Sequence, residues 1–237
     1  MEIVLVRHGE PAWEPDGFAV DDPELTPLGR AQAARLAQAL ERERFDALYV
    51  SPLRRTLETA APIAERLGLE PRTAPWMREL GLPAMAGLAK AEVRRFFEEA
   101  RARDLQKWWD GPPGGESFRH FHERVVAGIE SLLLGEHRLQ LHEDAGHRLW
   151  RIPEEERRVL LVAHEGTNAL VISHLLGIEP VPWEWVRFSS TWAGISRLRT
   201  VPVASGAVWV LGCFNHVAHL DGLEARFASL DAQPGAA

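Results

Sequence analysis

Apolar positions along the chain fall into short continuous runs that alternate with stretches of helical spacing. Ile3-Val4-Leu5-Val6 is continuous and rich in β-branched side chains, the pattern of a strand buried on both faces, as in parallel sheets. A Pro- and Asp-rich loop, about 10–24, follows. Thr26-Pro27 then offers an N-cap with proline at the first helical position, and Ala33, Leu36, Ala37 and Leu40 recur at helical spacing. Phe45 to Val50 predicts a second strand. From Pro52 a second helix is expected, with Leu53, Leu57, Ala60, Ala64 and Leu67 on one apolar face and Gly68 ending it. The alternation resumes at Val159 to Ala163, followed by a helix from about Thr167 to Leu176 that stops at Gly177. Ile195 to Val201 and Ala207 to Phe214 read as closing strands.

Between these halves lies a helical segment, about 76–134, whose clearest helix carries Phe118, Phe121, Val125, Ile129 and Leu132 behind a Ser117 cap. Residues 138–152 predict a hairpin: Leu139 and Leu141 alternate, Glu143-Asp144-Ala145-Gly146 turns the chain, and Leu149 to Ile152 return. The β-α-β-α order predicts an α/β fold of three layers, α/β/α, around a mostly parallel central sheet. One domain over 1–226, with the helical insertion and the hairpin inside it, is the simplest organisation; the small, polar tail 227–237 is expected to fray.

Composition narrows the class. With 237 residues, 46% of them hydrophobic, the chain can bury a full core and is not disordered. One cysteine excludes a disulfide framework and any multi-cysteine metal site. No apolar run approaches the roughly 20 residues of a membrane helix. Met1-Glu2 leads into the first strand without a basic leader or cleavage site, so a cytoplasmic protein is expected. A net charge of −7 argues against a nucleic-acid partner. Lys90 and Lys107 are the only lysines, and neither a P-loop nor a Gly-x-Gly-x-x-Gly fingerprint is present.

Ligands of open α/β sheets bind beyond the carboxyl ends of the strands. The first strand ends in Arg7-His8-Gly9-Glu10, the third in His164-Glu165-Gly166, and the second delivers Ser51-Pro52-Leu53-Arg54-Arg55 to the same edge. Two imidazoles and at least two guanidiniums would converge there. Arginine forks match phosphate oxygens bidentately, so a phosphoryl group is the natural ligand. Fixed cations disfavour an imidazolium, and a neutral ring is a competent nucleophile.

With these motifs, and with Leu25-Thr26-Pro27-Leu28-Gly29, Gln32, Arg78-Glu79-Leu80, Gly114-Gly115-Glu116-Ser117 and the Asn215…His219-Leu220 ending, nearly the whole chain resembles the histidine phosphatase superfamily, in its phosphoglycerate-mutase-like branch. The resemblance implies that His8 becomes phosphohistidine. It implies that Arg7, Arg55 and His164 hold the phosphate oxygens and that Glu79 is the proton donor and acceptor. Gly9 and Glu165 stand beside them as substrate-contacting positions, while Glu10 and Glu165 suit a supporting or a structural role equally. Two arginines and a histidine supply the positive charge, so neither metal nor other cofactor is implied. The expected function is hydrolysis of a phosphate monoester, the partner a small phosphorylated metabolite. A mutase and a non-catalytic phosphate-binding module are the alternatives, and the oligomeric state stays open.

The chain departs from the family pattern at Glu14, which follows Trp13 where asparagine is common, and at Glu165, which replaces a glycine. The Tyr-Gly and paired arginines that phosphoglycerate mutases use for a substrate carboxylate are not found after Glu79. For Trp108, Trp109, Trp183, Trp185 and Trp192 a core role is preferred over lining a leaving-group site. His137, His142 and His147, spaced by five, fit the hairpin surface better than a metal site.

Overall fold

In chain order the elements are β1 (Glu2–Arg7), α1 (Pro27–Leu40), β2 (Ala47–Val50), α2 (Arg54–Leu67), β3 (Pro71–Thr73), α3 (Lys90–Arg101), α4 (Phe118–Ser131), β4 (Gln140–Asp144), β5 (His147–Arg151), β6 (Arg158–Ala163), α5 (Glu165–Leu175), β7 (Ile195–Val203) and β8 (Gly206–His216). The computed structural model describes residues 1–223; the expected domain end at 226 and the tail 227–237 lie outside them. Among the described residues no helix is long and apolar enough to cross a membrane.

All eight strands join one sheet in the order β3-β2-β6-β1-β7-β8-β5-β4. The first four run parallel, whereas β7, β8, β5 and β4 add antiparallel pairings, so the sheet is mixed and its parallel part is one half. The closing strands β7 and β8 form a hairpin, which can only extend the sheet antiparallel. The predicted hairpin at 138–152 exists as β4 and β5 and is attached to the sheet edge by the pairing of Trp150 with Ala207.

Alternation along β1 sorts the core. Ile3 and Leu5 face one layer, with Phe121, Val125 and Ile129 of α4 and Leu170 and Ile172 of α5. Val4 and Val6 face the other, with Leu36 and Leu40 of α1 and Ala60 and Ile63 of α2. The caps behave as read: Thr26 Oγ1 accepts from Gly29 N at 3.0 Å, Ser117 Oγ accepts from His120 N at 3.0 Å, and Gly68 ends α2 at φ 64°. The expected face of α2 is rotated. Ala60 and Ala64 are buried as expected, but Leu57 is exposed and Arg55, Thr56, Thr59 and Ile63 are buried with them, because this helix turns polar residues toward the sheet edge.

The insertion is less helical than expected. The three-residue edge strand β3 precedes it, it opens in a 3-10 turn at Pro75–Met77, and a long irregular stretch precedes α3. Where the chain leaves β1, it passes α1 at backbone contact: a Cβ on Gly9 would lie 2.6 Å from the carbonyl oxygen of Gly29, and one on Gly29 would overlap the carbonyl of Glu10. Gly29→Ala therefore forces the His8 loop away from α1. It should cost roughly 1–3 kcal/mol, and a thermal melt should fall by several degrees.

Candidate active site

Strands β1 and β6 pair in parallel with Arg7 opposite Ala163, and His8 N donates to Ala163 O at 3.0 Å. His8 and His164 thus leave the sheet at the same level on neighbouring strands. Their rings meet edge to face, with centroids 5.1 Å apart. Strand β2 lies on the far side of β6, and Ser51 at its end places Oγ 2.7 Å from His164 Nε2. The chain then enters α2, whose first turn brings Arg55 Nε to donate to His8 Nε2 at 3.3 Å. His8 Nδ1 lies 2.7 Å from Gly9 O. A carbonyl only accepts, so Nδ1 holds the proton of the neutral ring and Nε2 keeps its lone pair.

The arginines are set by separate devices. Arg7 Nη1 donates to Ser190 O and pairs with Glu165 Oε2 at 3.0 Å. Glu165 Oε1 in turn accepts from Ser189 Oγ at 2.7 Å and Ser190 N at 3.0 Å. Asn215 Oδ1 accepts from Thr191 N at 2.9 Å and braces the same loop. Arg55 lies over the face of Trp13, 4.9 Å from the ring centroid, with Asp22 Oδ1 3.7 Å from its Nη1. Arg7 Nε, Arg55 Nη1 and His164 Nδ1 are buried without a hydrogen-bond partner among the described residues. Buried donors of this kind are costly unless a ligand or solvent meets them.

Burial lowers the pKa of His8 well below the ordinary histidine value, and Arg55 and Arg7 lower it further. His164 is shifted the same way by burial, Arg55, His8 and Arg7. Burial also brings Arg55 down to about 10, which leaves it charged at neutral pH. Two neutral imidazoles therefore sit among two cations.

Glu79 approaches from the insertion. Its Oε2 accepts from Gly166 N at 2.9 Å and its Oε1 from Leu80 N at 3.1 Å. A Cβ at position 166 would lie 2.6 Å from Oε1, so the glycine of His164-Glu165-Gly166 makes room for this carboxyl. Burial raises the Glu79 pKa, against the lowering effect of the two N–H donors. The loop is clamped from behind: Arg124 donates to Trp76 O at 2.7 Å and Arg78 O at 3.0 Å, and it pairs with Glu116 at 2.7 Å. Glu116 Oε2 also accepts from Gly81 N at 3.0 Å, which gives the Gly114-Gly115-Glu116-Ser117 motif a task.

These groups open onto a cavity of about 360 Å³. Of the residues singled out in the sequence, Arg7, His8, Arg55, Glu79 and Glu165 line it. His164 lies fully buried against His8. Gly9 is not a lining residue; its N–H donates to Thr59 Oγ1 at 3.0 Å, and its place is the close pass against α1. Glu165, open between two roles, is the anion that holds Arg7. Glu14 pairs with Lys90 at 3.2 Å and also lines the cavity. Trp185 is a lining residue and not solely core, whereas Trp183 packs on Trp108. Trp13, Asp22 and Ser190 escaped the sequence reading; their contacts are long-range, and only the Trp13 position next to a motif could have pointed to one of them. The three spaced histidines are apart in their contacts, with His137 on Tyr49 and His142 on Ser205.

The family model for the histidine phosphatase superfamily (branch 1) matches residues 3–204. The chain belongs to that superfamily. Among its relatives, glucosyl-3-phosphoglycerate phosphatase of Mycobacterium tuberculosis (strain CDC 1551 / Oshkosh) is 30% identical over 84% of the chain and 90% of that protein. Phosphoserine phosphatase 1 of Hydrogenobacter thermophilus is 35% identical over 56% of the chain, and the match spans 64% of that protein's length. The structure of mycobacterial glucosyl-3-phosphoglycerate phosphatase with VO3 superposes with a TM-score of 0.69 at 27% identity, covering 91% of the chain and 99% of its own.

The neutrality of His8 can be tested directly. By NMR its ring should titrate well below 6.5, and Arg55→Met should raise that pKa, because a lowering charge is removed while burial remains. An unchanged His8 titration in the variant would detach Arg55 from it.

Proposed function

We propose that the protein hydrolyses a phosphate monoester of a small metabolite through a phosphohistidine on His8. The observation that carries this reading is the meeting of a neutral His8, its Nε2 lone pair free of a proton, with unpartnered donors on Arg7, Arg55 and His164. The relatives named as phosphatases support it.

In the proposed reaction, the phosphoryl oxygens meet Arg7, Arg55 and His164, and the Arg55 hydrogen bond to Nε2 is exchanged for one to an oxygen. Ser51 can donate to His164 Nε2, which leaves Nδ1–H as the donor. The N-terminus of α5, which begins at Glu165, adds a favourable dipole for an anion. Nε2 attacks phosphorus as the ester P–O bond breaks, and the Glu79 proton passes to the leaving oxygen. Water then attacks the phosphohistidine and gives its proton to Glu79; the P–N bond breaks and orthophosphate leaves. The raised pKa of Glu79 favours the protonated form the first step needs. The Nδ1–H bond to Gly9 O holds the ring as positive charge develops on it. A mutase would also have to hold a second anionic group; beyond Arg7 and Arg55, Arg78 is the one cationic residue lining the cavity.

Hydrolysis of p-nitrophenyl phosphate in excess EDTA tests the reading. Activity should survive chelation, and His8→Ala should lower turnover by about 10³-fold or more. Near-normal turnover in that variant would overturn the phosphohistidine route. Glu79→Gln should cost about 10²–10⁴-fold on alkyl esters, whose leaving oxygen needs a proton, and far less on the p-nitrophenyl ester. Equal losses on both would take the acid role from Glu79.

A further inference from the structure

Away from the phosphate-binding floor, the cavity wall is apolar. Val20, Leu82, Met85, Phe97, Phe121 and Trp185 line it. Met85 and Phe97 belong to a small apolar cluster, with Ala19 and Val93, that packs apart from the two main cores. The cluster is held in place across the opening. Asp21 Oδ1 accepts from Met85 N at 2.7 Å and Ala86 N at 2.9 Å, and Ala19 N donates to Leu88 O at 2.9 Å. Leu80, Leu82, Phe97 and Trp185 also wall a recess of about 40 Å³ that reaches Trp108 and Phe118, with Arg101 and Arg103 lining it as well. The apolar surface therefore runs from the reacting centre into an aromatic nook.

Most charged groups around this surface already have protein partners: Glu14 pairs with Lys90, Glu165 with Arg7, Asp21 accepts from Met85 N and Ala86 N, and Arg103 donates to Gly111 O, while Arg78 and Arg101 are exposed. A leaving group with its own carboxylate would set that polar end against hydrocarbon. The relatives named above, by contrast, are named for phosphoserine and glucosyl-3-phosphoglycerate, both acids.

We infer that the site selects phosphate esters of uncharged, apolar alcohols with a ring-sized body, in preference to phosphorylated amino or hydroxy acids. The inference rests on the phosphatase reading and adds the substrate class to it.

Alkyl esters of similar leaving-group basicity separate the two. We would compare kcat/KM for 2-phenylethyl phosphate, phosphoserine and 3-phosphoglycerate, with p-nitrophenyl phosphate as the check on chemistry. The phenylethyl ester should lead by about tenfold to a hundredfold, the range expected for burying one such group. Leu82→Glu, at a partly exposed loop position, should raise its KM about tenfold and erase most of the preference, with the inhibition constant of orthophosphate as the control for an intact floor. Turnover of phosphoserine or 3-phosphoglycerate equal to or above that of the phenylethyl ester, with p-nitrophenyl phosphate hydrolysed, overturns the substrate class and leaves the phosphatase reading standing. So does a preference that Leu82→Glu leaves unchanged in a variant that still binds orthophosphate. No hydrolysis of any ester, p-nitrophenyl phosphate included, overturns the phosphatase reading itself.

Discussion

Parallel pairing of β1 with β6 ends both strands at one height, and each is followed by a histidine. From that register comes the 5.1 Å contact between His8 and His164, and a slip of one residue would turn one ring to the other side of the sheet. Continuous apolar sequence fixes the register, since Ile3 to Val6 and Val159 to Val162 must be buried on both faces. Placing two histidines beside two arginines in a buried corner has an electrostatic consequence. Both rings resist protonation, and the neutral form is the one with a free lone pair. The same arrangement sets a limit on the fold. Below about pH 6.5 the unfolded chain takes up protons that the folded rings refuse, so acidification weakens folding at these two sites.

The cations need their own anchoring, and the tripeptide after β6 supplies much of it. His164 completes the pair with His8, Glu165 neutralises Arg7, and Gly166 offers its N–H to Glu79 while leaving space for that carboxyl. Where Glu165 stands, a glycine would leave Arg7 a buried charge with Ser190 O as its remaining anchor. That explains a carboxylate at the edge of an anion site: it is committed to a guanidinium and to Ser189 and Ser190. The floor thus combines fixed positive charge with donors that have no internal partner, an arrangement suited to an oxyanion with several oxygens.

What could be read from the sequence follows a physical division. Strands β1, β2 and β6 and helices α1, α2 and α5 are marked by continuous apolar runs, caps and terminal glycines, all local signals, and the residues at their ends come with them. His8, His164, Arg7 and Arg55 were therefore legible. Strand β3 was not, because Pro71-Arg72-Thr73 is an exposed edge with no apolar pattern. The face of α2 was misjudged at Leu57 because helical periodicity assumes that burial follows hydrophobicity. At the sheet edge Arg55 and Thr59 are buried for their hydrogen bonds instead. Gly9 was read as a ligand contact although its lack of a side chain serves a backbone pass against Gly29. Partners such as Trp13 on Arg55 and Ser190 on Arg7 join residues far apart in sequence, and spacing carries no trace of them.

The same division separates chemistry from selectivity. Groups that would act on phosphorus in the proposed reaction come from strand ends and the first turns of helices, where register and packing leave little freedom. Of the wall residues, Phe97, Phe121 and Trp185 come from α3, α4 and the Glu184–Val186 turn, whereas Val20, Leu82 and Met85 come from the loop before α1 and the stretch between the Pro75–Met77 turn and α3, segments held by a few side-chain caps such as Asp21 and the Glu14–Lys90 pair. A change in these loops alters the wall without disturbing the register below it. Relatives are named for different phosphate esters, phosphoserine and glucosyl-3-phosphoglycerate among them, so membership of the superfamily says little about which alcohol fits. Here most of the wall is hydrocarbon, so under the proposed function the substrate is to be sought from the wall and not from the family.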